Sequence, residues 1–274
     1  MDVPTSLLRT RAGTIWAPGG HQNTAAIAEF DGEIWTRQTL PGTSTRVRPH
    51  VFHQSFEGDL WLGPDVGWEE VTGKGGIVQI HDVDGGTIPY RWTQHIPWES
   101  TSAYAIGETR DGVLWFGVGR LRRFDSQRWS QVSTPRGVTS WVHAILPTSV
   151  GDLWIGTRTY GAFQRTGDQW RQHSIDDGLI SNLVQHLLET ADGTIWAATG
   201  EGVHRYDGRS WQQYRAPMDG SLGWLGGLRQ TAEGAVWLNQ EAAGKYRTIR
   251  YLADRQEPET EITWRRFRGK AIPW

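Results

Sequence analysis

Nine histidines and 17 tryptophans are the side chains of this 274-residue chain best suited to catalysis, metal binding or ring stacking. The closest histidine pair, His50 and His53, is three residues apart. On a strand that spacing sends the two rings to opposite faces, where they do not chelate one ion. His81-Asp82-Val83-Asp84-Gly85-Gly86 starts like a calcium loop but lacks the later carboxylates and the closing glutamate, so an Asp-Gly turn accounts for it better. Cysteine is absent, which removes disulfides and thiolate metal sites. Gly244-Lys245 runs into Tyr246 rather than Ser or Thr, without the earlier glycine of a phosphate-cradling loop, and the nucleophile-elbow pattern Gly-x-Ser-x-Gly does not occur. The reading is therefore no metal, no cofactor and no assigned catalytic residue. Two kinds of chemistry remain. One is acid–base work by His143 or His50 beside Glu201, Glu99 or Asp65. The other is recognition by aromatic faces.

Lys and Arg number 28 against 30 Asp and Glu, a formal net charge of −2. A nucleic-acid binder held by phosphate charge needs a basic face, and this balance argues against one. No stretch approaches the ~18 apolar residues of a membrane-spanning helix, so no membrane insertion is expected. The opening Met1-Asp2-Val3-Pro4 lacks the basic start and apolar run of a secretory signal. Localisation stays unassigned: cytoplasmic as written, extracytoplasmic if a leader has been removed.

The elements that would position such residues show in the tryptophans. Glycine, two residues, then tryptophan recurs as Gly13–Trp16, Gly58–Trp61, Gly112–Trp115, Gly151–Trp154, Gly193–Trp196 and Gly234–Trp237, with Trp intervals of 39 to 54 residues. A second tryptophan follows each first one, at Trp35, Trp92, Trp129, Trp170, Trp211 and Trp264. The interval from a second to the next first is 23 to 26 residues, whereas the interval from first to second runs from 14 to 31. One half of the unit is fixed in length and the other takes insertions. One residue before the first Trp the column is Ile15, Leu60, Leu114, Leu153, Ile195 and Val236; nine before, it is Leu7, Phe52, Ile106, Ile145, Leu187 and Leu228. Both are uniformly apolar, with a turn glycine between them, often as Asp-Gly. Each unit then reads as four short strands, A to D, with the first Trp on B and the second on D. Helical periodicity is weak throughout.

Four-stranded units of this length predict an all-β β-propeller of six four-stranded blades, with seven as the alternative if an irregular blade hides in the long second unit. One such sheet leaves both faces wet, and packing sheet on sheet covers them. A tryptophan buries ~150–250 Å², about 4–6 kcal/mol gross as an upper bound, so two per blade are expected to dominate the contacts between blades. The whole chain, 1–274, reads as one propeller domain with blades at about 5–45, 46–101, 102–138, 139–180, 181–221 and 222–274. The basic run Trp264-Arg265-Arg266-Phe267-Arg268-Gly269-Lys270 reads as the exposed fourth strand of blade six rather than a docking peptide.

Ligands of such a fold meet the mouth where the D–A and B–C connections converge. Eleven residues before the first Trp stand His50, Tyr104, His143, Gln185 and Gly226; thirteen before stand Arg48, Ser102, Trp141, Leu183 and Trp224. These columns are chemically varied, as expected where packing no longer dictates the residue. Trp68, Trp98, Arg158 and Tyr160 join them from the connections. The candidate ligand-binding set is therefore Arg48, His50, Trp68, Trp98 and Tyr104, with Trp141, His143, Arg158, Tyr160 and Trp224. Aromatic faces interleaved with polar groups suit a sugar or another flat, polar-edged ligand. The competing reading is that these rings plug the core.

Gly178-Leu179-Ile180-Ser181-Asn182-Leu183-Val184, Asp192-Gly193-Thr194-Ile195-Trp196-Ala197-Ala198-Thr199 and Gly202-Val203-His204-Arg205-Tyr206 together resemble the two-component regulator propeller repeat; Gly151-Asp152-Leu153-Trp154-Ile155-Gly156-Thr157 is similar to its middle section. The resemblance is good in units three to five, and units one, two and six keep the Gly and the two Trp. It implies a sensor domain that detects ligands such as glycans. The virginiamycin-inactivating lyases are similar in repeating a Gly-x-x-Trp phrase, but their recurrent Asn-x-Ile-Gly-Arg is missing here. The expected function is a non-catalytic ligand-binding or sensor propeller that recognises a small polar or carbohydrate-like ligand. The alternatives are a propeller lyase or hydrolase using a mouth histidine, and a scaffold for a protein partner.

Overall fold

The computed structural model describes residues 3–4, 6–22, 24–43, 46–65, 75–86, 88–95, 102–125, 128–135, 141–214, 224–242, 245–253 and 260–265. They form six antiparallel sheets, each made from one stretch of chain. The first holds β1 (Val3–Pro4), β2 (Leu8–Arg9), β3 (Ile15–His21), β4 (Thr24–Phe30) and β5 (Trp35–Leu40). Its strand A is split, because β1 and β2 both pair with β3. The second holds β6 (Arg46–Gln54), β7 (Leu60–Asp65), β8 (Ile77–Ile80) and β9 (Trp92–His95); the third holds β10 (Ala105–Glu108), β11 (Leu114–Val118), β12 (Arg120–Asp125) and β13 (Arg128–Gln131). The fourth is ordered β14 (Val142–Pro147), β15 (Leu153–Thr157), β16 (Ala162–Thr166) and β17 (Gln169–His173). β18 (Val184–Glu189), β19 (Ile195–Thr199), β20 (Gly202–Tyr206) and β21 (Trp211–Tyr214) make the fifth; β22 (Trp224–Gln230), β23 (Val236–Ala242), β24 (Lys245–Tyr251) and β25 (Thr260–Arg265) make the sixth. A 3-10 turn spans Ile175–Asp177.

The A–B hairpin is built the same way in every sheet. Six residues before the first Trp stands Thr10, Ser55, Thr109, Thr148, Thr190 or Thr231. Its N–H donates to the carbonyl two residues before the Trp at 2.8–3.0 Å, and its own carbonyl accepts from the framework glycine at 2.8–3.1 Å. This is a three-residue loop whose last residue must take a left-handed conformation. All six glycines do so, with φ from 78° to 102°, which is why glycine never varies there.

The chain divides into two compact units, Met1–Pro147 and Thr148–Trp274. In the first, Trp16, Ile27, Leu40, Leu60, Leu62 and Tyr90 close one core between the first two sheets; Val51, Trp61, Ile77, Leu114 and Phe116 close another between the second and third. In the second unit Trp196, Val203, Tyr214, Leu238 and Tyr251 join the fifth and sixth sheets. A backbone latch accompanies the packing. The N–H five residues before one sheet's Trp donates to the Gln or Glu seven residues before the next sheet's Trp: Arg11 to Gln54 (2.9 Å), Phe56 to Glu108 (2.8 Å), Ser149 to Glu189 (2.6 Å) and Ala191 to Gln230 (2.8 Å).

The two tryptophans of a unit are not equal partners. Trp16, Trp61, Trp115, Trp154 and Trp196 are 0–4% exposed, and Trp237 is half-buried. Of the second set, Trp211 is buried, Trp92, Trp129 and Trp170 are half-buried, and Trp35 is 37% exposed. The second Trp sits on strand D, the edge of its sheet, with no further strand beyond it to exclude water.

Candidate functional site

Strand A of the third and fourth sheets brings three of the expected residues together. Tyr104 stacks on Trp141 with ring centroids 4.9 Å apart and planes 27° from parallel, and on His143 at 5.3 Å and 6°. Trp141, immediately before β14, and His143 on it are 6.5 Å apart at 26°. The three near-parallel rings make a half-buried aromatic platform. Its position follows from the residues between. Ala103 and Val142 are fully buried against glycines two residues after the preceding framework Trp. A Cβ on Gly63 would lie 2.9 Å from the Ala103 Cβ, and one on Gly117 would lie 2.3 Å from the Val142 carbonyl oxygen. That approach admits only glycine, and strand alternation then turns Tyr104, Trp141 and His143 away from the contact. The Tyr104 N–H donates to the Gly117 carbonyl at 2.8 Å, which keeps the ring at the edge shared by the D–A and B–C connections.

The other candidates are placed as follows. Arg158 and Tyr160 lie exposed in the B–C connection between β15 and β16. The Tyr160 N–H donates to Thr157 Oγ1 at 3.0 Å, and its carbonyl accepts from Gln172 Nε2 at 2.9 Å. Arg48 and His50 are on β6 where its register breaks between Val47 and Phe52, and Trp224 opens β22 opposite Glu241. The side chains of these three, and Trp68 and Trp98 altogether, lie outside the described residues. Bulges also fall at Gln185 and Gly226, between Val184 and His186 and between Leu225 and Gly227. Three of the five residues eleven before the Trp thus stand at register breaks, which re-aim side chains in a way strand alternation does not foretell.

Histidines between sheets, His173 and His204 buried and His95 half-buried, form a second feature. His173 stacks on Trp154 (4.7 Å), accepts the Trp211 indole N–H at Nδ1 (3.3 Å), and meets Gln164 Oε1 at Nε2 (3.4 Å). Gln164 in turn donates to Asp152 at 2.5 Å. The same chain recurs in the other unit: His95 on Trp61, the Trp129 N–H to Nδ1 at 3.4 Å, Gln79 Oε1 at 2.9 Å, and Gln79 to Asp59 at 2.5 Å. Since Nδ1 accepts, Nε2 carries the single proton and each ring is neutral. Burial pushes the His173 pKa down to about 4, helped by Arg171 and opposed by Asp177, and pushes His95 down as well, helped by His81. His204, fully buried, accepts the Ile180 N–H at Nε2 (3.3 Å), and burial lowers its pKa to about 4. The signal was present: three residues after the second Trp stand Gln38, His95, Val132, His173 and Tyr214, mostly groups that bond across sheets. Among the described residues no group of three or more His, Asp or Glu could hold a metal ion.

Residues 178–201 match the model of the Two component regulator propeller family. The chain carries a two-component regulator propeller repeat. No curated protein sequence matches it, and solved structures show the fold. The extracellular domain assigned to the hybrid two component system BT3049 of B. thetaiotaomicron is similar, at TM-score 0.68 and 18% identity over 90% of this chain; the chain spans 33% of that domain. Virginiamycin B lyase from Staphylococcus aureus, in a catalytically inactive form with quinupristin, is similar at TM-score 0.70 and 15% identity over 96% of this chain and 84% of the lyase. PorZ, a bacterial surface component of the type-IX secretion system of Porphyromonas gingivalis, follows at TM-score 0.56 and 12% identity over 96% of this chain and 44% of PorZ. The regulator-propeller repeat and these likenesses make the chain an all-β propeller of four-stranded blades, six in number.

Proposed function

We propose that this propeller is a ligand-binding module whose Tyr104–Trp141–His143 platform recognises a small polar or carbohydrate-like ligand. The observation that carries the reading is the stack itself: three half-buried rings within 27° of parallel at the starts of two adjacent first strands. A pyranose presents an apolar C–H face to such a surface while its hydroxyls bond to the rim. The regulator-propeller repeat supports a recognition role, since the family includes domains of two component systems.

The test is a glycan panel titrated against intrinsic tryptophan fluorescence. Trp141→Ala and Tyr104→Ala are expected to weaken binding about tenfold each, the loss of roughly 1.4 kcal/mol, whereas Ile34→Ala, exposed on the first sheet's C–D turn, leaves it unchanged. Binding that survives both platform substitutions refutes the assignment. His143→Ala separates a binder from a catalyst, because a binder loses affinity alone and a catalyst loses turnover.

A further inference from the structure

The connection between the fourth and fifth sheets, residues 174–182, hangs on two rings that have to remain uncharged. Its far end is tied by Asn182, whose carbonyl accepts from Gly161 N–H (2.9 Å) and whose Oδ1 accepts from Ile175 N–H (3.1 Å). Its middle is tied where Ile180 N–H meets His204 Nε2, and its start follows directly on His173. The Thr157–Gly161 loop, with Arg158 and Tyr160, rests on the same ties: Gly161 on Asn182, and Tyr160 on Gln172 beside His173.

Both histidines accept at a nitrogen that faces a donor. A second proton on His204 would set an N–H against the Ile180 N–H, and one on His173 would do the same against the Trp211 indole. Neither ring is exposed at all, so each added charge would also enter a desolvated site. We propose that His173 and His204 form an acid-operated latch, which on protonation gives up Trp211 and Ile180 and frees residues 174–182 together with the Thr157–Gly161 loop. The charged and titratable groups facing the pair are Arg171 on β17, Asp177 on the connection, Tyr206 on β20, and Asp152 beyond Gln164. Arg171 opposes the proton on His173 and Asp177 favours it, with burial outweighing both. The latch is closed at neutral pH and loosens as pH falls from the ~6.5 of a released imidazole toward the value of about 4 at which both rings are held.

The proposal is independent of the ligand platform, and its test reads no ligand. Amide hydrogen exchange of the full chain, corrected for intrinsic rates, is followed by mass spectrometry from pH 7 to pH 4. The expected result is at least about a tenfold loss of protection in residues 174–182 below pH 5 while β18–β21 stay protected. The double variant His173→Gln, His204→Gln keeps a neutral acceptor at both places and is expected to hold the connection down to pH 4. A wild-type connection that stays protected at pH 4, or a double variant that opens over the same range, overturns the latch. If the double variant does not fold, NMR titration of the wild-type imidazole C–H signals decides. Opening that tracks both rings below pH 5 supports it, and either ring titrating above pH 6 overturns it.

Discussion

At the residue scale, the framework tryptophans differ in what their indole nitrogens do. Trp115 Nε1 donates to Thr109 Oγ1 at 3.0 Å, and Trp16 Nε1 donates to Thr14 Oγ1 at 3.0 Å. The nitrogens of Trp61 and Trp196 are buried without a partner. An unsatisfied buried donor costs free energy that a phenylalanine would not. In urea denaturation Trp196→Phe is therefore expected to destabilise less than Trp115→Phe, by about 1 kcal/mol; equal losses would contradict this assignment. Truncation removes packing as well. Trp115→Ala should cost ~3–5 kcal/mol, while Val150→Ala, at a turn tip 81% exposed, stays within about 0.5 kcal/mol.

At the element scale, each hairpin both closes itself and reaches the next sheet. Glu189 takes two hydrogen bonds from Ser149, one from its backbone and one from its hydroxyl. Gln54 and Gln230 do the backbone part with an amide. Glu189→Gln is thus expected to be tolerated, whereas Glu189→Ala leaves the Ser149 N–H without its acceptor and should lower stability by ~1–2 kcal/mol. Calorimetry of the pair checks it. Gly117 is the tighter constraint, because any Cβ there meets the Val142 carbonyl. Gly117→Ala should cost about 1–3 kcal/mol and should shift Trp141 against Tyr104. A changed near-UV circular dichroism band with retained far-UV signal is the expected signature.

At the scale of the whole molecule, buried neutral histidines make stability depend on acid. An unfolded histidine titrates near pH ~6.5, and His173 and His204 are depressed to about 4 in the fold. The unfolded chain then binds protons first as pH drops, so their stabilisation is complete above the unfolded value and is lost as pH falls from ~6.5 toward 4. By pH 4.5 the loss is about 2.5 kcal/mol for each ring. Asp192, lowered to about 2 by its hydroxyl and backbone donors and Arg205 against the opposing burial, acts in the same direction at lower pH. Its side chain is 54% exposed, so its share is small. Urea midpoints at pH 7.5, 5.5 and 4.5 test the sign. A flat profile would mean that the rings are not held neutral.

The repeat, the strand count and the turn glycines were legible in the residues because each is a local demand. A three-residue hairpin needs a positive φ in every copy, and a buried strand needs an apolar neighbour beside its Trp. The varied columns also pointed to the edge where Tyr104, Trp141 and His143 lie, since packing leaves residue type open there. That these three rings meet depends on Gly63 and Gly117 letting strand A of one sheet settle on the strand B beside it, a contact between segments distant in sequence. The histidine chains show in the sequence only as a column of polar groups three residues after the second Trp, for the same reason. His173 reaches Gln164 across one sheet and Trp211 from the next, and no spacing within a strand records a bond that exists only after sheets have packed.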